Sequence, residues 1–189
     1  MAKTKDMRIE SLPLEEVARW PRNPKLHAEA DLDASIDRFG FTSPILMDEG
    51  TGKLVAGHGR LDALLRRKAA GQPPPARVSV DEDGRWLIPV IRGVSFADEA
   101  EAEAYLIADN RLSEIGGWDE RMLGEMIKGA GDALAKATIG WTQPEVDRLV
   151  GLASGALPES SLQAEGAREL GMDDLGGQEH KCPRCGFVF

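Results

Sequence analysis

The segment from Lys53 to Leu65 constrains the fold of this chain more than any other. Lys53-Leu-Val-Ala56 reads as a short strand, and Leu61, Leu64 and Leu65 recur at helical spacing, with Arg66, Arg67 and Lys68 over the helix end. Between them stand only Gly57-His58-Gly59-Arg60, so a strand must turn sharply into a helix with no intervening loop. Glycine lets the backbone turn and come close to a ligand. The unpaired N–H groups that open the helix favour an anion at the same spot. Arg60 adds a planar, permanently charged fork suited to phosphate oxygens. The pattern is not the P-loop of nucleotide triphosphatases, because no Lys-Ser/Thr pair follows.

The residues on either side predict an α+β chain. Residues 9–16 form a short strand running into a helical turn, and Trp20-Pro-Arg-Asn-Pro24 is a loop. A helix follows with Asp31 as its N-cap, Leu32, Ile36 and Phe39 on one face, and Gly40 as its stop. Residues 44–47 pair with Lys53–Ala56 across the turn residues 48–52, and Gly71-Gln-Pro-Pro-Pro75 ends the helix after Arg60. A second hairpin joins 77–80 to 85–94 through Asp81-Glu-Asp-Gly84. Only helices follow: one over 97–110, one from Asp119 with Leu123, Met126 and Ile127 inward, and one from Thr142, where Thr142 and Glu145 fit a capping box. Trp118 and Trp141 stand at helix entrances and are expected to staple those ends to the core rather than stack on a ligand.

The charge is distributed unevenly. The net value is −9, yet residues 1–92 carry 15 basic against 14 acidic side chains, whereas 93–153 carry 5 against 12 and 154–189 carry 3 against 6. No broad basic surface exists for nucleic acid, so any DNA contact must come from a local patch or an oligomer. The acidic character of the helices at Asp119 and Thr142 argues against insertion into a major groove. With 42% hydrophobic residues, no apolar run of spanning length and a charged start without an apolar stretch, the chain is expected to be cytoplasmic, with no signal peptide and no membrane contact. Residues 154–179 are rich in Gly, Ser, Ala and acidic side chains. They are expected to be a flexible linker.

Both cysteines lie in Cys182-Pro-Arg-Cys185-Gly, the spacing of a zinc-ribbon knuckle. His180 is a candidate third ligand, and a second chain could supply a fourth. The alternative is a degenerate knuckle that binds no metal.

Four separated blocks carry a family resemblance. They are the Asp31-to-Gly40 helix, Phe41-Thr-Ser-Pro-Ile-Leu46, Leu54-Val-Ala-Gly-His-Gly-Arg-Leu-Asp-Ala63 and Ala104-Tyr-Leu-Ile-Ala-Asp-Asn-Arg-Leu112. In this order they resemble the ParB N-terminal domain family, and within it the phage and mobile-element branch often found beside or fused to DNA methyltransferases. The resemblance covers residues 7–152 and implies a ParB/sulfiredoxin fold, a small mixed sheet with helices whose Gly-rich turn holds nucleotide phosphates. Partition proteins of this family bind CTP with magnesium and act as DNA-bound clamps, whereas sulfiredoxins and a free-serine kinase on the same fold use ATP. Nuclease activity has also been ascribed to the family.

The resemblance assigns Gly57, His58, Gly59, Arg60 and Asn110 to the phosphates and Asp109 to a magnesium ion, since Asp109-Asn110 falls near the family's Glu-Asn pair. His58 stands where partition proteins carry a hydrolysis-linked Glu and sulfiredoxins a catalytic Cys. The sulfiredoxin reaction is therefore excluded. His58 is the one candidate catalytic residue, although a structural or ligand-orienting role ranks ahead of acid/base chemistry. His27 lies in the family's first block and is expected to be an exposed loop residue.

The predicted organisation is a nucleotide-binding core over 7–95, a helical subdomain over 96–153 completing the site, a linker over 154–179 and the half-knuckle over 180–189. The leading expectation is a Mg-dependent CTP- or ATP-binding module in DNA partition, modification or regulation. It would act through self-association, with a possible homodimer and a DNA or DNA-modifying partner, and hydrolyse nucleotide slowly at most. The alternative is an enzyme on the same fold, a DNA nuclease or an ATP-dependent small-molecule kinase.

Overall fold

The computed structural model describes residues 6–130 and 140–157. Among the described residues, five longer helices and six strands follow one another in a mixed order. Strand β1 (Arg8–Pro13) leads through a single helical turn (Leu14–Glu16) to β2 (Ala18–Arg19) and α1 (Glu29–Phe39). Then come β3 (Ile45–Asp48), β4 (Lys53–Ala56) and α2 (His58–Ala69). Strands β5 (Ser79–Val80) and β6 (Trp86–Val94) complete the sheet. Helices α3 (Glu99–Ile115), α4 (Glu120–Gly129) and α5 (Gln143–Ala153) follow.

The sheet runs β1-β6-β3-β4-β2, with β5 on the start of β6. It is mixed: β1 and β6 are antiparallel, β3 and β6 parallel, β3 and β4 antiparallel, and β2 and β4 parallel. Side chains on a strand alternate between faces, and here both faces are covered. Ile45, Met47, Leu54, Ile88 and Val90 join the core beneath α1 and α2. Leu46 and Val55 point the other way and pack with Trp20, Ala102 and Leu106 beneath α3. All four residues of β3 are buried for that reason. Asp48 is buried among them as the acceptor of the turn, taking the N–H groups of Gly50, Thr51 and Phe96 and the Thr51 hydroxyl. Burial alone would raise its pKa, but those donors outweigh it and hold the carboxyl below its ordinary value.

Helices α4 and α5 pack on each other around a third, smaller cluster of Ile127, Val146 and Leu149. Gly124 permits this approach, since a Cβ there would come within 2.1 Å of the Leu149 carbonyl oxygen. The Thr142 N–H and hydroxyl both donate to Glu145, each at 2.7 Å, and start α5 as the capping pair requires.

Several expectations need correction. Helix α1 begins at Glu29 behind Ala28, so Asp31 lies in its first turn and caps nothing. Its carboxylate still favours the positive helix end. Phe39 ends that helix at 47% exposure, and Phe41, two residues on, fills the core instead. Helix α3 runs five residues beyond Asn110, because nothing before Gly116-Gly117 breaks it; Asp109 and Asn110 thus lie inside the helix. Met126 is exposed on α4. Trp118 is exposed as well and meets Trp141 edge-on at 6.0 Å, and of the two only Trp141 packs on the third cluster. No helix among the described residues is long and apolar enough to cross a membrane. The linker beyond 157 and the half-knuckle with His180, Cys182 and Cys185 lie outside the described residues.

Candidate functional site

The turn between β4 and α2 is held from both sides. Gly57 has φ 100°, a left-handed conformation that side chains rarely adopt. A Cβ on it would meet Ile45 Cγ2 at 2.6 Å and the Arg60 guanidinium at 3.0 Å. Across the turn, a Cβ on Gly59 would meet Leu32 Cδ1 at 2.8 Å and His27 Cγ at 2.9 Å. The chain at 57–59 is therefore threaded between β3 and the segment that opens α1. A side chain at Gly57 is strained by its backbone conformation, and one at Gly59 requires Leu32 and His27 to shift.

A cleft of about 220 Å³ opens over this turn, lined by Asn23, His27, His58, Arg60, Asp109 and Asn110 among others. Arg60 donates from Nη1 to the Ser43 carbonyl oxygen at 2.8 Å, which fixes the guanidinium at the cleft wall. Burial draws its pKa down and the nearby Asp109 carboxylate opposes that shift. An arginine remains charged under such conditions.

His58 is 6% exposed, and its Nε2 has no hydrogen-bond partner. Burial, reinforced by the charges of Arg19 and His27, pushes its pKa down to about 4, so the ring is neutral near pH 7. The His27 Nε2 is likewise buried without a partner. Burial lowers its pKa too, with Lys25 and Arg66 adding to the effect and Glu29 opposing it. An unpaired buried polar atom costs roughly 1–3 kcal/mol. Two in one cleft are a substantial standing cost.

The opposite wall is α3. Asp109 is exposed, and the Tyr105 hydroxyl reaches its Oδ1 only at 3.5 Å, the outer limit of a hydrogen bond. Asn110 donates its amide to the Leu106 carbonyl at 2.8 Å. Among the described residues no group of three His, Cys, Asp or Glu side chains is placed to hold a metal ion. Asp109 nonetheless suits magnesium, which typically takes one or two carboxylates and completes its shell with phosphate oxygens and water.

The structure thus gathers Gly57, His58, Gly59, Arg60, Asp109 and Asn110, the six nucleotide and magnesium candidates of the sequence, around one cleft. His27 departs from expectation: it lines the cleft because Gly59 leaves room for its ring. Sequence reasoning also missed Asn23. The signal was the loop Trp20-Pro-Arg-Asn-Pro24, whose Trp20 is 3% exposed and donates its indole N–H to Glu103 of α3 at 3.0 Å. That bond, with the Arg22–Glu103 ion pair, ties the loop to α3. A second groove of about 360 Å³, lined by Arg22, Pro24, Glu103, Leu106 and Ile107, adjoins the cleft at Asn23.

Comparison with known proteins agrees with this architecture. No family model matches the chain. The truncated chromosome-partitioning protein ParB from Caulobacter crescentus, solved with CTP-gamma-S, superposes with a TM-score of 0.50 at 20% identity, over 82% of this chain and 89% of that one. That is a likeness of fold. A Pnob8-like ParB-N domain aligns at a TM-score of 0.37 and 15% identity, over 82% of this chain and 67% of its own. In sequence, the chain is 38% identical over 70 residues to the ParB-like nuclease domain-containing protein YnaK of Escherichia coli, matching 35% of this chain and 79% of that protein. Together with the α+β architecture, this relationship shows that the chain belongs to the ParB-like family.

Proposed function

We propose that this protein is a nucleoside triphosphate-binding module of the ParB-like family, taking CTP or ATP with magnesium and acting in DNA partition, modification or regulation. The observation that carries the reading is the Arg60 guanidinium held beside the N-terminus of α2, over a turn whose Gly57 takes a left-handed conformation against Ile45. The phosphates lie against Gly57, His58, Gly59 and Arg60. Asn110 reaches them from α3, and Asp109 takes the magnesium ion, which would neutralise phosphate charge there. The adjoining groove at Asn23 offers space for the nucleoside. The Caulobacter neighbour holds a CTP analogue, which supports CTP as the first ligand to try.

The helical half, 96–153, completes the site through α3 and provides for self-association. Leu112 and Ile115 on α3, Trp118 in the connection and Met122 on α4 are each more than half exposed, which supports an apolar contact surface there. The DNA or DNA-modifying partner and the phage setting belong to the same reading. Cys182, Cys185 and His180 are proposed as zinc ligands, tested by metal analysis of the purified protein before and after chelation.

The test is calorimetry with ATP, CTP and GTP, each with magnesium, on wild type and Arg60→Ala. Losing one charge-assisted contact of about 1.5–3 kcal/mol lowers affinity about ten- to a hundredfold. Equal affinity in the two proteins removes the reading. Sedimentation with and without the bound nucleotide reports self-association, and a DNA-degradation assay on the same samples tests the nuclease alternative.

A further inference from the structure

The sheet ends differently on its two sides. At one edge β2 has only two residues, too few to template another strand. At the other edge β1 runs six residues, Arg8–Pro13, and among the described residues it pairs with β6 alone. That antiparallel register is continuous, with no bulge to twist the strand away. Its one proline, Pro13, stands at the last position, so the backbone groups ahead of it remain able to pair. The side chains do not shield the edge either: Met7 and Ile9 are 71% and 65% exposed, and Ser11 is exposed. In native proteins an edge this long and regular is usually blunted or covered.

The residues of β1 complement their own sequence. Arg8 and Glu10 lie on one face of the sheet, Ile9 and Ser11 on the other. Opposed residues of an antiparallel pair share a face, so two copies meeting about a twofold axis align only odd positions with odd and even with even. Three such alignments bring the charges together. Arg8 against the partner's Arg8 is repulsive, and so is Glu10 against the partner's Glu10. The third sets Arg8 opposite Glu10 twice and brings Ile9 against its own copy at the axis. We propose that β1 is a self-pairing edge, along which two copies of this chain join their sheets antiparallel with Ile9 on the twofold axis and each Arg8 facing the partner's Glu10. Within one copy Arg8 pairs with Glu10 at 2.6 Å and reaches Glu49 at 3.4 Å, and both side chains of the first pair stay partly exposed. Joining therefore links charges that are already held at the edge. The interface shares no residue with the cleft or with the exposed positions of α3 and α4, and it needs no nucleotide. Two strands of this length bury little area, so the dimer is weak and its population follows concentration.

The experiment is sedimentation of the full chain without nucleotide over a range of concentrations. Wild type is expected to show a monomer–dimer equilibrium. Arg8→Glu makes both charged positions of the edge acidic and Glu10→Arg makes both basic, so each variant alone should associate on the order of tenfold more weakly. Mixed in equal amounts, the two should associate with each other as wild type does, because the same alignment then opposes unlike charges at both positions. Ile9→Lys, which sets like charges against each other at the axis, should dissociate the dimer. Thermal unfolding identifies variants that fail to fold, and restoration in the mixture itself requires that both are folded. A wild type that stays monomeric overturns the proposal. So do weakened variants that the mixture fails to restore. A wild-type dimer unmoved by all three substitutions overturns it as well and assigns self-association to another face, such as the exposed residues of α3 and α4. Nucleotide affinity, read by calorimetry on Arg60→Ala, stands or falls separately from every one of these outcomes.

Discussion

The two walls of the cleft are built in opposite ways. On the α2 side the turn is clamped between Ile45 and the His27–Leu32 segment, His58 is buried, and Arg60 is bound to a backbone carbonyl. On the α3 side Asp109 is exposed on a helix whose first half is anchored by Ala102 and Leu106 while Ile107, Leu112 and Ile115 are bare. A clamped wall has lost its conformational freedom on folding, so its contacts to a ligand cost little further entropy. An exposed carboxylate must be ordered by what it binds. For the proposed nucleotide and magnesium, the contrast predicts that variants on the α2 side change affinity in any buffer and variants on the α3 side change it only with metal.

The largest effect expected is from Gly57→Val. It places a branched side chain at φ 100° and into Ile45, which should abolish nucleotide binding and lower Tm, by roughly 2–4 °C per kcal/mol of strain. Binding retained in a folded Gly57→Val protein would break the picture of a clamped wall. Next is Arg60→Ala, whose ten- to hundredfold loss should be the same with magnesium or with EDTA. A loss confined to magnesium-containing buffer would merge the two walls into one.

Asp109→Ala sharpens the other side. Its loss of about five- to tenfold should occur only with magnesium and vanish in EDTA, as read by calorimetry. The smallest effect concerns pH. The folded pKa of His58, about 4, lies below the ordinary 6.5, so the native protein binds fewer protons than the unfolded chain between those values. Stability should be level above about 6.5, fall as pH drops toward 4 and lose no more from this group below it. His27 acts in the same direction. Denaturant unfolding across that range should show a shallower fall in His58→Gln. An identical profile in the variant would mean that His58 is solvated.

The sequence by itself determined whatever depends on neighbours along the chain. Strand, glycine turn, Arg60 and helix lie within thirteen residues, so sterics and the helix end place the phosphate wall before any tertiary contact forms. The hairpin turn at 48–52 and the capping pair Thr142–Glu145 were readable for the same reason. Tertiary structure alone decided who faces that wall. Asn23 and His27 come from a loop whose composition signals only irregular backbone, and Asp109 from a helix whose periodicity does not say which wall it faces, so that the family resemblance alone pointed to it. They meet the turn because Leu46 and Val55, on the alternate face of β3 and β4, bury Trp20, Ala102 and Leu106. The same packing turned His27 from an expected surface residue into a cleft residue, since only the missing Cβ of Gly59 makes room for its ring. Likewise, whether Phe39 or Phe41 fills the core depends on where α1 ends relative to the sheet, and helical periodicity does not carry that distance.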